Sequence, residues 1–176
     1  MKDDKINSLC REWYENGVLM TECMVENGLE EGVCKEWHDN GQQSFECTMS
    51  EGKEQGVSRE WHVNGQLAVK CFMKDGKRYG QSREWYDNGQ LQIRSHLVDG
   101  IEEGKYEEWF FNGSKMKEGQ KEKGLFQGLY KQWWENGNVH IECQMKNGKY
   151  FSDFCEWDRN GELICETKTC TFPIPV

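Results

Sequence analysis

Glu12-Trp13-Tyr14-Glu15-Asn16-Gly17-Val18-Leu19 is the first of seven varied copies of one pattern in this chain, and their spacing decides the fold. The tryptophan returns at 37, 61, 85, 109, 133 and 157, always 24 residues on. Asn-Gly returns in the same steps at 16–17, 40–41, 64–65, 88–89, 112–113, 136–137 and 160–161. Glu precedes the tryptophan in every copy except the sixth, where Gln132 stands. A second glycine follows eleven residues after the first, at 28, 52, 76, 100, 124 and 148. A third lies four residues further, at 32, 56, 80, 104 and 128, with Ser152 in the sixth place. Self-similarity at a period of 20–50 residues marks a repeat architecture.

Glycines this frequent would cost an α-helix about 1 kcal/mol each. Asn-Gly between β-favouring runs is a hairpin signal. The only prolines are Pro173 and Pro175, so nothing breaks a strand before the tail. The period therefore predicts an all-β chain: a single elongated, twisted antiparallel sheet of consecutive β-hairpins, about 14 strands. Residues 1–8 form an N-terminal tail, 9–170 hold seven tandem repeats, and 171–176 form a C-terminal tail. That apolar tail either folds over the last strand or serves as a short linear motif.

Composition excludes several functions. With 31 acidic and 22 basic residues among 176, the net charge is −9. Phosphate backbones and anionic lipid surfaces both reward clustered Lys and Arg, so nucleic acid and membrane lipid are not expected partners. Met1-Lys2-Asp3-Asp4-Lys5 is not followed by an apolar run, which predicts no signal peptide and a cytoplasmic location. Leu, Ile, Val and Phe total only 32 residues, but Trp, Cys, Met and Tyr add another 30. The apolar content is thus unusual in kind, and its regularity argues against disorder.

The faces follow from the turn. A bulged turn, with a left-handed glycine, pairs Trp13 with Leu19. Continued along the strand, that register gathers Phe45, Val69, Ile93 and Ile141 with Trp13, Trp37, Trp61, Trp85, Trp109, Trp133 and Trp157. Cys23, Cys47, Cys71 and Cys143 then join this apolar, mainly structural face, followed by Val25, Met49, Met73, Leu97 and Met145. The Glu row falls on the opposite face, spaced too regularly to split carboxylate pKa values for acid–base work. Lys70 and Arg94 stand in a column that other repeats fill with Glu22, Glu46, Glu118, Glu142 and Glu166. In repeat five, Lys115, Lys117 and Gly119 take the apolar places; either the register changes locally or the repeat is degenerate.

In this register Cys10 and Cys23 lie on opposite faces, and equivalent cysteines of successive repeats sit roughly 10 Å apart, beyond disulfide reach. The nine cysteines are therefore read as reduced wall residues, and no metal set is expected without a C-x-x-C pair. His38 and His62 occupy the aromatic position after Trp and read as packing substitutes. No cofactor and no catalytic constellation is expected.

The unit Glu-Trp-[Tyr/His]-x-Asn-Gly-x-Leu with paired glycines resembles the MORN repeat family, in the variant where Trp-aromatic-x-Asn-Gly replaces a glycine-rich consensus. Similar proteins occur in bacteria, many of them antitoxin-like, and in large DNA viruses. The resemblance implies a non-catalytic protein–protein interaction or assembly scaffold, homodimeric in some members. An antitoxin-like inhibitor that masks one specific partner is the alternative. The partner itself is not named by the sequence. Tyr106, Tyr130 and Phe154, joined by Phe110 and Trp134, replace small residues of earlier repeats and are the predicted partner-binding patch.

Overall fold

A computed structural model describes residues 7–167. Among the described residues there is no helix. An open antiparallel sheet is built of hairpins in chain order, sixteen strands in all among these residues. The tails expected at 1–8 and 171–176 lie largely or wholly outside the described residues.

The chain divides into two compact units, residues 1–89 and 90–176. The first holds β1 (Asn7–Trp13), β2 (Leu19–Glu26), β3 (Leu29–Trp37), β4 (Gln43–Ser50), β5 (Lys53–Trp61), β6 (Leu67–Lys74), β7 (Lys77–Arg78) and β8 (Gly80–Trp85). The second holds β9 (Leu91–Val98), β10 (Ile101–Glu102), β11 (Gly104–Trp109), β12 (Lys115–Glu122), β13 (Leu125–Trp133), β14 (Val139–Lys146), β15 (Lys149–Trp157) and β16 (Leu163–Thr167). Sixteen replaces fourteen because Tyr79 and Glu103 interrupt two hairpin limbs.

Each Asn-Gly turn has the bulged form expected. Gly17 N–H donates to Tyr14 C=O and Tyr14 N–H to Val18 C=O, both at 2.9 Å, with Gly17 at φ +83°. Asn16 Oδ1 accepts from Val18 N–H at 3.0 Å, while its Nδ2 donates to Asp39 C=O of the next repeat at 2.9 Å. Asn40, Asn64, Asn112 and Asn136 bond forward in the same way. Aspartate could cap the turn but has no donor for that forward bond. The second turn is a two-residue type with both residues left-handed, as at Asn27 (φ 52°) and Gly28 (φ +81°).

Trp13 pairs with Leu19, as the turn predicts, but the register then shifts between Glu12 and Trp13. Glu12 pairs with Thr21 and Cys10 with Cys23. The same shift occurs in all six hairpins whose register lies within one unit. It leaves Met20 and its equivalents unpaired and cancels the turn's offset. The consequence corrects the sequence reading of the faces. The Cys23 column shares its face with Cys10, Cys34 and the Glu row, and the tryptophans share theirs with the Arg11, Lys35 and Arg59 row.

The core lies on the cysteine face. In the first unit Cys23, Cys34, Cys47 and Met49 are buried together, with Phe45 packed against them. In the second, Tyr130, Ile141 and Cys143 form the cluster, with Phe126, Met145 and Phe154 around it. Thiol and thioether meet repeatedly: Cys47 Sγ lies 3.4 Å from Met49 Sδ, and Cys71 and Cys143 each lie 3.6 Å from Met73 and Met145.

Repeat five keeps the common register, Trp109 pairing with Lys115. Its departure is one of composition. Gly119 pairs with Tyr106, and the Phe126 ring fills the space a side chain there would take: a Cβ on Gly119 would stand 3.0 Å from that ring. Where Ser152 replaces the bulge glycine, the left-handed residue becomes Asp153 (φ 49°).

Candidate interaction surface

The aromatic residue after each tryptophan does more than pack. Tyr14 Oη donates to Trp37 C=O at 2.7 Å, and Trp134 Nε1 to Trp157 C=O at 3.0 Å. His38 Nε2 and His62 Nε2 lie 2.9 and 2.8 Å from the carbonyls of Trp61 and Trp85. A carbonyl can only accept, so Nε2 is the donor in both bonds. Tyr, Trp and His all supply a ring-edge donor at that reach. The shared donor is legible in the set of residue types but not in an aromatic-packing reading of them. Phe110 has no donor and cannot make this bond.

Of the predicted aromatic patch, Tyr106 and Tyr130 are buried, at 6% and 7% exposure, and so unavailable to a partner. Phe126 joins them edge-on, 5.6 Å from Tyr106 and 4.9 Å from Tyr130 between ring centroids. Phe154 packs against the same cluster. Burial foremost, with Tyr150, Cys143 and Glu108 nearby, pushes the Tyr130 phenol up to about 12. Phe110 and Trp134 are half-buried in their turns; Trp134 stacks on His140 at 3.6 Å.

The tryptophan face carries a ladder of charge. In the first unit, Arg11 Nε bonds Glu22 at 2.7 Å, and Glu46 lies between Lys35 at 3.6 Å and Arg59 at 3.1 Å. In the second, Glu107 is held by Arg94, by Lys105 at 3.0 Å and by Lys115 at 2.9 Å, and Lys131 pairs with Glu142 at 2.8 Å. Arg94 and Lys115 also lie 5.5 and 5.6 Å over the Trp109 ring. Trp13 is exposed and the other six tryptophans of the period are half-buried.

One stretch of this ladder is not balanced. Lys70 is the register partner of both Arg59 and Arg83. Among the described residues no carboxylate pairs with Lys70 or Arg83. Val57 and its partner Phe72 lie close by along the strands, at 36% and 46% exposure. Val57, Lys70, Phe72, Gln81 and Arg83 line a shallow open depression of about 140 Å³. Leu9, Met24 and Val33 extend the exposed apolar stripe across β1, β2 and β3. The sequence marks Lys70 as an odd member of a Glu column; the unpaired cation beside an apolar stripe emerges only with the register.

On the other face, several members of the Glu row are held by cations. Glu60 and Glu84 both reach Arg78, at 3.6 and 3.0 Å, and Glu108 pairs with Lys117 at 2.8 Å. Glu36 is pushed up, first by burial and then by Glu30, Glu54 and Glu60. Beside it, Cys23 and Cys34 are joined as a disulfide with Cα atoms 4.4 Å apart, which corrects the expectation of reduced thiols for this pair. Cys23 sits where β3 bulges between the Glu22–Lys35 and Met24–Glu31 pairs, and that bulge brings Cys34 beside it. Glu30 completes a three-residue group whose ligand atoms lie within 4.8 Å of one another. The disulfide occupies both sulfurs, and a metal needs them as thiolates.

No curated protein matches the chain. The family model for the MORN repeat variant matches residues 7–27, 78–99 and 126–147. The matches end at 27, 99 and 147, three and two periods apart. This is not an enzyme family, and its repeats are generally associated with modules that engage proteins or membranes. Three stretches of the chain are thus MORN repeats of the variant form.

Proposed function

We propose that the protein is a non-catalytic interaction scaffold that takes an acidic, partly apolar segment of a partner protein on the tryptophan face of its first unit. The observation that carries this reading is the adjacent Lys70 and Arg83, paired with no carboxylate among the described residues although Arg83 donates to Gln81 Oε1 at 2.9 Å, beside exposed Val57 and Phe72. Two cations on neighbouring strands repel, and each gains from an external carboxylate; the stripe beside them gains from an apolar side chain. In a chain of net charge −9, the site gives specificity for acidic partners that the rest of the surface repels. Nucleic acid shares the negative charge, but would meet that repulsion along its whole length.

The test uses a fluorescein-labelled peptide of alternating Glu and Leu and the Lys70→Glu variant. Glutamate is what most other repeats carry at this place, so the variant is expected to fold, with the introduced carboxylate between Arg59 and Arg83. Anisotropy should show binding that weakens with salt and falls at least tenfold in Lys70→Glu. Binding of the variant within twofold of the parent, or preference for single-stranded nucleic acid or anionic vesicles over the peptide, overturns the proposal. Light scattering of the same samples reports homodimers. A single native partner bound tightly in fixed stoichiometry would favour the inhibitor form of the scaffold.

A further inference from the structure

The cysteines of the first two repeats form a row that the later repeats do not continue. Cys10 pairs with Cys23 across one hairpin, Cys23 is bonded to Cys34 across the next strand boundary, and Cys34 pairs with Cys47 across the second hairpin. Four sulfur-bearing residues thus stand on four consecutive strands of one face. The row ends at Ser58, which pairs with Cys71. Direct cross-strand partners have Cα atoms roughly 4.5–5.5 Å apart, within disulfide reach. The members differ in access: Cys10 is exposed, while Cys23, Cys34 and Cys47 are buried.

In front of the row lies an open cleft of about 340 Å³ lined by Cys10, Glu12, Thr21, Cys23, Glu30 and Glu36, among others. Three carboxylates line it, and among the described residues none of the three forms an ion pair. The crowding registers on Glu36, which burial and neighbouring glutamates push up.

We propose that Cys10, Cys23 and Cys34 form a thiol–disulfide exchange site selective for small cationic disulfides. The Cys10 thiolate attacks one sulfur of a disulfide RSSR, forming Cys10–S–S–R and releasing RS⁻. The Cys23 thiolate then attacks Cys10 Sγ, forming Cys10–Cys23 and releasing the second RS⁻. The Cys34 thiolate attacks Cys23 Sγ and returns Cys10 as a thiolate. Two electrons pass from Cys23 and Cys34 to RSSR; the protons they give up end on Cys10 or on the two released thiols. The buried pair so reaches its disulfide through an exposed relay, because attack needs a thiolate with access, and Cys10 is exposed where Cys23 and Cys34 are 5% and 7% exposed. Cys47 does not compete: burial, with Glu54, Glu30, Glu36 and Glu46 adding to it, pushes its thiol up to about 12. The glutamates attract a cationic disulfide and repel an anionic one.

The experiment takes the full reduced chain at pH 8 and low ionic strength and adds cystamine or, separately, dithiodiglycolate. Free thiols are blocked at intervals and mapped by mass spectrometry. Cystamine should consume two thiols per chain, leave no stable adduct and link residues 23 and 34. It should react at least tenfold faster than the anionic reagent, with the gap closing in salt. Cys10→Ser should slow the reaction at least tenfold, and Cys34→Ser, which installs the residue repeat three carries, should trap a Cys10–Cys23 link. Far-UV circular dichroism establishes that both variants are folded. Unchanged oxidation in Cys10→Ser, a lasting adduct on Cys10 with Cys23 and Cys34 still free, or equal rates for the two reagents would overturn the proposal.

Discussion

Glu107 is the most constrained charge among the described residues, and Glu107→Gln tests the ladder's energetics. Its side chain is 3% exposed and takes bonds from Arg94 Nε at 2.7 Å, Lys115 Nζ at 2.9 Å and Lys105 Nζ at 3.0 Å. Burial alone would raise its pKa, but the bonds from Lys115, Lys105 and Arg94 override it and hold the carboxyl at about 2. A depressed folded value means stability that is fully present above the unfolded pKa and lost as pH falls through the folded one. A drop from 4.5 to about 2 corresponds to about 3 kcal/mol at pH 7. By the same linkage about 1.5 kcal/mol remains near pH 3.2 and about 0.4 kcal/mol at pH 2. Glutamine keeps the shape but leaves Arg94 and Lys105 without a counter-charge and Lys115 with Glu118 alone. Urea unfolding of parent and variant across pH 7 to 2 should show a difference near 3 kcal/mol that shrinks along that curve. A difference independent of pH would show that the variant lost packing and that the ion hub contributes nothing.

Three further substitutions test the turns and the rearranged core. Glu51 sits left-handed (φ 51°) in a two-residue turn, so Glu51→Asn should stabilise by about 0.5–1 kcal/mol in thermal unfolding, while keeping the bond its backbone N–H donates to Glu31 at 2.9 Å. Asn40→Asp keeps the acceptor for Gln42 N–H but loses the donor to Val63 C=O at 2.9 Å; a cost of about 1 kcal/mol is expected, restored by no change of salt. Gly119→Ala forces its Cβ to 3.0 Å from the Phe126 ring and should cost about 1–3 kcal/mol, of which Phe126→Leu in the same chain should recover part.

The strand order, both turns and the Trp13–Leu19 register were legible in the sequence, because glycine and asparagine positions constrain φ directly. The faces were not. The sequence shows one offset at the turn; it has no separate mark for the second offset beside Glu12, which arises where Met20, Ser44, Ala68, Met116, His140 and Ile164 are left unpaired. Those six share no chemistry, since an unpaired position tolerates any of them. A one-residue error there transposes every column beyond it. That is why a turn-based register puts the cysteines on the tryptophan face, and why Tyr106 and Tyr130, columns of the true core, read as a surface patch. The Cys23–Cys34 contact escapes sequence reading for a related reason: it depends on the bulge around Gly32, which spacing alone does not register.

A feature that every repeat shares cannot distinguish one surface from another, so specificity must lie in departures from the period. The departures differ in how they are answered within the fold. Gly119 is answered by Phe126, whose ring fills the gap, and Lys121 lies 4.1 Å over the ring of Tyr106, the register partner of Gly119. Lys115 and Lys117, which break the apolar pattern of repeat five, are answered by Glu107, Glu118 and Glu108. Arg94, a cation in a Glu column, is answered by Glu107. Such compensated departures keep the array intact and leave nothing for a partner to satisfy. Lys70 is different, since its register neighbours Arg59 and Arg83 are cations and the side chains beside it include exposed Val57 and Phe72. Self-repulsion there is a cost that selection for stability alone would remove by the Glu that most other repeats already carry. Under the proposed function, the acidic segment of the partner supplies the carboxylate that the fold does not.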